Sequence, residues 1–155
     1  LIGGFVRVLV QRVQEARVEV AGEVVGSCTR GLLLLVGLGA GDRLIEVDWM
    51  ARKIAGLRVF SDSDGQMNRS IIETEGDILA VSQFTLYGDC RKGRRPSFVD
   101  ALNPADAEPL FENFIDRLHE EGVSRVEKGR FGANMQVHLV NDGPVTMWIE
   151  REASA

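Results

Sequence analysis

The stretch from Leu32 to Leu38 reads LLLLVGL, and glycines at 31 and 39 close it off on both sides. An amphipathic element would alternate with polar residues at a strand or helix period, and this run does not. It is far shorter than the roughly 18 residues that a membrane-spanning helix needs. It reads as a β-strand buried on both faces, with one layer of the protein above it and another below. The chain must then supply two apolar covers for one strand. Its 155 residues are enough to do so within one domain.

The rest of the sequence offers those covers. Residues 6–13 (VRVLVQRV) alternate and are rich in valine, which predicts a strand. Residues 16–20 and 23–28 predict two more, joined as a hairpin at Ala21-Gly22. Asp42 is placed to cap a helix over 43–59, where Val47, Met50, Ile54 and Leu57 share one face. Residues 61–68 (SDSDGQMN) are loop-forming. Residues 77–87 predict a strand that carries polar groups at its end. A second helix is marked by Asn103 as N-cap, Pro104 at the first helical position and Gly122 past the last turn. Its buried face is Leu110, Phe111, Phe114, Ile115 and Leu118. Residues 134–141 and 145–150 alternate again on either side of Asp142-Gly143-Pro144, which reads as a hairpin turn. The expected fold is α/β: one mixed domain over 6–155, with two main helices covering a curved, barrel-like sheet whose strand-rich ends can pair with a second copy. Residues 1–5 are set aside as an N-terminal extension or tag remnant.

Charge and composition narrow the function. The net charge of −5 argues against broad electrostatic binding of nucleic acid. One local exception is Arg91-Lys92-Gly93-Arg94-Arg95, which is either a solvated loop or a set of phosphate contacts. Cys28 and Cys90 are too few for a disulfide framework and wrongly spaced for a metal site, so a reduced, cytoplasmic protein is expected. The beginning of the chain has no basic leader, and Arg7 breaks its apolar stretch, so it does not read as a signal peptide. Gly37-Leu38-Gly39-Ala40-Gly41 invites comparison with a phosphate-binding loop, but Asp42 stands where the fingerprint's last glycine belongs. A strand-to-helix turn is the better reading. His119 and His138 have no sequence neighbours that would make a triad or a metal cluster.

Two segments remain, Ser82-Gln83-Phe84-Thr85-Leu86 and Asn141-Asp142-Gly143-Pro144-Val145-Thr146. In this order and context they resemble the two signature motifs of the D-aminoacyl-tRNA deacylase family. The resemblance runs from Val6 onward and takes in the VLVQRV opening with Arg12 and the strand around Leu32–Leu38. Val6 itself stands where the family usually begins with Met. The resemblance implies a homodimer with active sites at the subunit interface. Ser82, Gln83, Phe84 and Thr85 would line the pocket of one subunit. Gly143 and Pro144 of the other would enter it through a cis peptide bond, oriented by Arg12. It implies no metal or organic cofactor; that no membrane is involved is expected from the apolar runs, none of which approaches a spanning length.

The residue types suit that chemistry. Glycine lets a backbone approach the α-carbon of a substrate, and proline makes the approach rigid. A site of this kind rejects an L side chain rather than selecting a D one, so glycyl-tRNA is also expected to be a substrate. Backbone N–H groups of Phe84 and Thr85 can form an oxyanion hole, and the ribose hydroxyl beside the ester can help activate water. Three other readings stay open on sequence alone. One is a hydrolase with Ser82 or Thr85 as nucleophile. Another is a non-catalytic RNA-binding module centred on Arg91–Arg95. The third is a related L-alanyl-specific enzyme with a trans Gly-Pro bond.

Overall fold

The computed structural model describes residues 5–152, with residues 5 and 152 described by their backbone only. The chain runs through β1 (Phe5–Val20), β2 (Glu23–Cys28), β3 (Gly31–Leu38), α1 (Leu44–Gly56), β4 (Phe60–Ser61), β5 (Met67–Arg69) and β6 (Asp77–Ser82). A 3₁₀ turn (Phe84–Tyr87), α2 (Pro104–Glu120), β7 (Val126–Lys128) and β8 (Gln136–Glu152) follow. Residues 1–4 of the expected extension lie outside the described residues, whereas Phe5 is already part of β1 and pairs with Glu152.

β1 organises the sheet. One of its edges pairs antiparallel with β8 along nearly its whole length. The other pairs with β3 over Val6–Val13 and with β2 over Ala16–Val20. β6 adds to β3 in parallel and β7 to β6 in parallel. The far strand then curls back toward β2: the Ser27 N–H donates to Glu127 Oε1 at 2.8 Å, and a side chain at Gly26 would meet the Lys128 carbonyl at 2.4 Å. The result is a nearly closed, barrel-like sheet with two helices, as the sequence suggests.

β3 has the two covers its sequence demands. Leu32, Leu34, Val36 and Leu38 pack with Val47, Met50 and Ile54 of α1 and with Phe111, Phe114 and Leu118 of α2. Leu33 turns the other way, into a second cluster with Val13, Val18, Leu79 and Val81. The period of two along a strand divides one apolar run between two cores. Among the described residues no helix is long and apolar enough to cross a membrane.

Four local expectations are corrected. Strands 6–13 and 16–20 are one strand: the exposed pair Gln14 and Glu15 interrupts the alternation, but Glu15 still pairs with Val140 and only Gln14 falls in a register shift. Asp42 is not the cap of α1. Arg43 holds that position, with the Glu46 carboxylate accepting its N–H at 2.9 Å, while Asp42 Oδ2 accepts the Gly39 N–H at 2.6 Å and closes the turn before the helix. Residues 61–68 are not all loop: Ser61 belongs to β4, and Met67 and Asn68 to β5, the two strands of a short hairpin. Residues 141–146 are not a hairpin turn. A hairpin needs its flanks to pair with each other, and here both flanks pair with β1.

Candidate active site

The end of β6 meets a seat built by β3. Ser82 is the last strand residue, and the Gln83 N–H extends the ladder to the Val36 carbonyl at 2.7 Å. The chain then winds into the 3₁₀ turn, so the expected strand over 77–87 is shorter than predicted. The glycines of β3 explain where the turn lies. A Cβ at Gly37 would sit 3.1 Å from Gln83 O and from Leu86 Cβ, and one at Gly39 would sit 2.6 Å from the Tyr87 ring. The glycine-rich segment therefore makes room for a turn of the protein itself.

A cleft of about 640 Å³ opens beside this turn. Ser82, Gln83 and Phe84 line one side, Phe98 and the start of α2 another, and the segment from Phe131 to Met135 a third. Phe84 is 55% exposed and meets Phe98 edge to face, with ring centroids 5.1 Å apart. The first bond within the turn runs from the Leu86 N–H to Gln83 O. The N–H groups of Phe84 and Thr85 precede it and have no acceptor within the turn. Thr85 is exposed and does not line the cleft; its hydroxyl accepts a hydrogen bond from the Gln83 side-chain amide.

The second motif stands elsewhere. Gln11 pairs with Thr146 and Val13 with Asn141, so the four residues 142–145 face Arg12 alone. They form a large bulge that lifts Gly143 and Pro144 out of the sheet, both exposed. Their peptide bond is cis, and Gly143 has φ of +122°. Arg12 anchors the bulge: Nη1 donates to the Val59 carbonyl at 2.7 Å, and Nε pairs with Asp142 Oδ2 at 3.2 Å. The Asn141 amide donates to the carbonyls of Arg12 and Val145, at 2.9 and 3.1 Å. Arg12 lies opposite Leu32 and Ser82 opposite Val36, four residues apart along β3 or about 13 Å. Within one chain, then, the two motifs do not meet.

The basic cluster is carried between the 3₁₀ turn and Phe98, both of which border the cleft. Arg91 is tied to Asp89 at 2.8 Å and holds that carboxyl down at about 2. Lys92, Arg94 and Arg95 are exposed. Neither histidine lines the cleft: His138 lies beside Arg17 and Glu19, and the His119 ring lies against the Val123 carbonyl.

Several residues around the turn carry no motif. Arg7 donates from Nη1 to the Leu86 carbonyl at 3.0 Å and lies over the Tyr87 ring, 4.3 Å from its centroid. Asp42 is buried beneath. Burial pushes its carboxyl up to about 7; the Gly39 N–H opposes the rise, Glu46 adds to it, and Tyr87 and Arg7 oppose it. Phe98 and Phe131 join the cleft from distant loops. The glycines at 37 and 39 mark in the sequence where the turn packs, Asp42 is legible there only as a helix cap, and Arg7, Tyr87, Phe98 and Phe131 carry no signal of these roles.

The family model described as D-Tyr-tRNA(Tyr) deacylase matches residues 9–150. A protein of Brevibacillus brevis named D-aminoacyl-tRNA deacylase is 58% identical over 144 residues, 93% of this chain and 99% of that one. One of the same name from Acaryochloris marina is 52% identical over 149 residues, 96% of this chain and 98% of that one. Among solved structures, one titled c-Myc DNA Unwinding Element Binding Protein superimposes with a TM-score of 0.87 at 40% identity, covering 96% of this chain and 99% of that one. A probable eukaryotic D-amino acid tRNA deacylase shares the fold at a TM-score of 0.83 and 19% identity, covering 95% of this chain and 100% of that one. The chain belongs to the D-aminoacyl-tRNA deacylase family of hydrolases.

Proposed function

We propose that this protein hydrolyses the ester bond of D-aminoacyl-tRNA as a homodimer, each subunit lending its Gly143-Pro144 to the cleft of the other. The observation that carries this reading is the pair of backbone N–H groups at Phe84 and Thr85, beside a cleft walled by phenylalanines. Such a pair stabilises the oxyanion of a tetrahedral intermediate. The apolar walls suit the flat terminal adenine of a tRNA. Separation of the two motifs within one chain supports the dimer, since only a second copy can bring the bulge to the cleft. The exposed carbonyls of Gly143 and Pro144 can then accept hydrogen bonds from the substrate ammonium. That docking leaves no room for an L side chain. Glycyl-tRNA, including glycine mischarged on the alanine tRNA, has nothing to exclude and is accepted.

Turnover of matched D-, L- and glycyl-tRNA by the pure protein tests this. D-aminoacyl and glycyl esters are expected to be cleaved at least a hundredfold faster than L. Equal rates, or a preference for L-alanyl-tRNA, would reject it.

Thr85 is not the nucleophile in this reading. A threonine hydroxyl needs an adjacent base, and its neighbour here is a neutral amide that cannot take a proton. Thr85→Val is expected to keep deacylation within about tenfold, or roughly 1.4 kcal/mol of barrier. A drop of several orders of magnitude, or an acyl-threonine species trapped on rapid quenching, would restore the nucleophilic mechanism.

Arg91, Lys92, Arg94 and Arg95 contact phosphates of the acceptor end. Neutralising them should raise KM and flatten its dependence on salt, leaving the D over L preference as it was. Identical kinetics at every salt concentration would assign the cluster to a solvated loop.

A further inference from the structure

Arg7 occupies an unusual place among the arginines of β1. It pairs across the sheet with Gly37 on one side and Glu150 on the other. Because Gly37 has no side chain, the 3₁₀ turn packs directly against β3 at that point, with Gln83 O and Leu86 Cβ at close range. The Arg7 guanidinium therefore reaches the turn itself. Its Nη1 donates to the Leu86 carbonyl, its plane covers the Tyr87 ring, and its Nε lies 3.4 Å from Glu150 Oε2. A second ring, Trp148, lies 6.0 Å away.

A carbonyl near the end of a helical turn has no acceptor role left within it, and a cation there is favourable. Arg7 supplies both donor and charge. Tyr87 is fastened on its other side: it is 3% exposed, and its hydroxyl lies beside the Asp42 carboxyl that the Gly39 N–H holds. The last two residues of the turn are thus fixed by β1, β3 and the segment before α1. The turn has only four residues, and its internal bonds tie Leu86 to Gln83 and Gly88 to Thr85. A tilt at Leu86 must then be passed to the N–H groups of Phe84 and Thr85, and oxyanion stabilisation depends steeply on where such donors point.

We propose that Arg7 is a positioning residue for deacylation: by holding the Leu86 carbonyl and the Tyr87 ring, it fixes the tilt of the turn that presents the Phe84 and Thr85 amides to the scissile carbonyl. This rests on the ester-hydrolysis reading above. Arg7 acts through the turn and does not touch substrate, so its loss is felt in kcat and not in KM.

The test compares Arg7→Met, Arg7→Lys and Glu150→Gln in the full chain with D-aminoacyl-tRNA, alongside amide hydrogen exchange without substrate. Arg7→Met is expected to lower kcat by tenfold to a hundredfold with KM within twofold, and to speed exchange at the hydrogen-bonded amides of Leu86 and Gly88 at least tenfold while β3 and β6 keep theirs. Arg7→Lys retains a donor for the Leu86 carbonyl and should recover most of kcat. Glu150→Gln leaves that contact in place and should stay within twofold of the parent. The proposal is overturned by an unchanged kcat in folded Arg7→Met, by a lysine variant no better than the methionine one, or by exchange that rises everywhere together with a matching fall in Tm. An unsubstituted protein that does not cleave the ester would instead reject the functional reading, and the exchange data would still report on the turn.

Discussion

Gly31→Ala is expected to leave no cooperatively folded protein. A Cβ at Gly31 would lie 1.8 Å from the Asp77 carbonyl oxygen and under 3 Å from two further backbone atoms of that residue. Backbone cannot swing aside as the end of a side chain can. Gly31 and Asp77 are the first rung of the parallel β3–β6 pair, and the Asp77 carboxylate also accepts from Thr29 N and Oγ1, at 3.1 and 2.9 Å. Relieving the clash means parting the two strands where Leu32, Leu33, Ile78 and Leu79 are fully buried. That exceeds the usual range of a point substitution, at more than about 4 kcal/mol against a total stability on the order of 5–15 kcal/mol. Gly56→Ala is the control: nothing lies within 4 Å of its Cβ, and stability should change by less than about 1 kcal/mol. Urea unfolding followed by circular dichroism compares the two. A Gly31→Ala protein with a sharp transition near that of the parent would show that the strands can separate locally at little cost.

Gly143→Ala is expected to fold and to lose deacylation by at least a hundredfold, or to lose its preference for D over L. A φ of +122° is a conformation that L side chains rarely adopt, and a Cβ would stand 2.9 Å from Val145 Cγ2 and 3.0 Å from Arg12 Nη2. The bulge is exposed and the core does not depend on it, so the cost falls on the pose of the Gly-Pro pair. Phe84→Pro offers the complementary lesion. It removes one N–H at the start of the turn, where proline is sterically tolerated. If each site is built from two chains, co-refolding the two inactive variants in equal amounts should recover about a quarter of the parent activity, from the one intact site in each mixed dimer. Measuring ester cleavage in the mixture decides it, and a mixture as inactive as its components rules out the shared site.

The parts of the fold that the sequence revealed are those set by short-range patterning. The apolar run of β3 announces two covers, and the spacing of Phe111, Phe114, Ile115 and Leu118 announces the inner face of α2. Asn103 caps that helix as read, its side chain accepting the Asp106 N–H. What stayed hidden depends on partners far away in the chain. Asp142-Gly143-Pro144 has the composition of a hairpin turn, and only the 16-residue length of β1 turns it into a bulge within one strand. Asp42 has the chemistry of a cap, but the Gly39 N–H claims its carboxylate first. The SQFTL segment is legible only through family resemblance. Arg7, Tyr87, Phe98 and Phe131 had no resemblance to flag them, since nothing local to an arginine on a strand says that it will brace a turn almost eighty residues later.

The bulge has one more effect, on how the protein behaves in company. Among the described residues β8 pairs with β1 alone, so its outer edge has no strand partner along its 17 residues. A long straight edge of that kind is a template on which another chain can add a strand and start an aggregate. Residues 142–145 interrupt it, leaving six residues before the break and seven after. The segment that we propose judges handedness therefore also breaks the long unpartnered edge of β8. A chain that lost it would risk solubility along with the discrimination proposed for it.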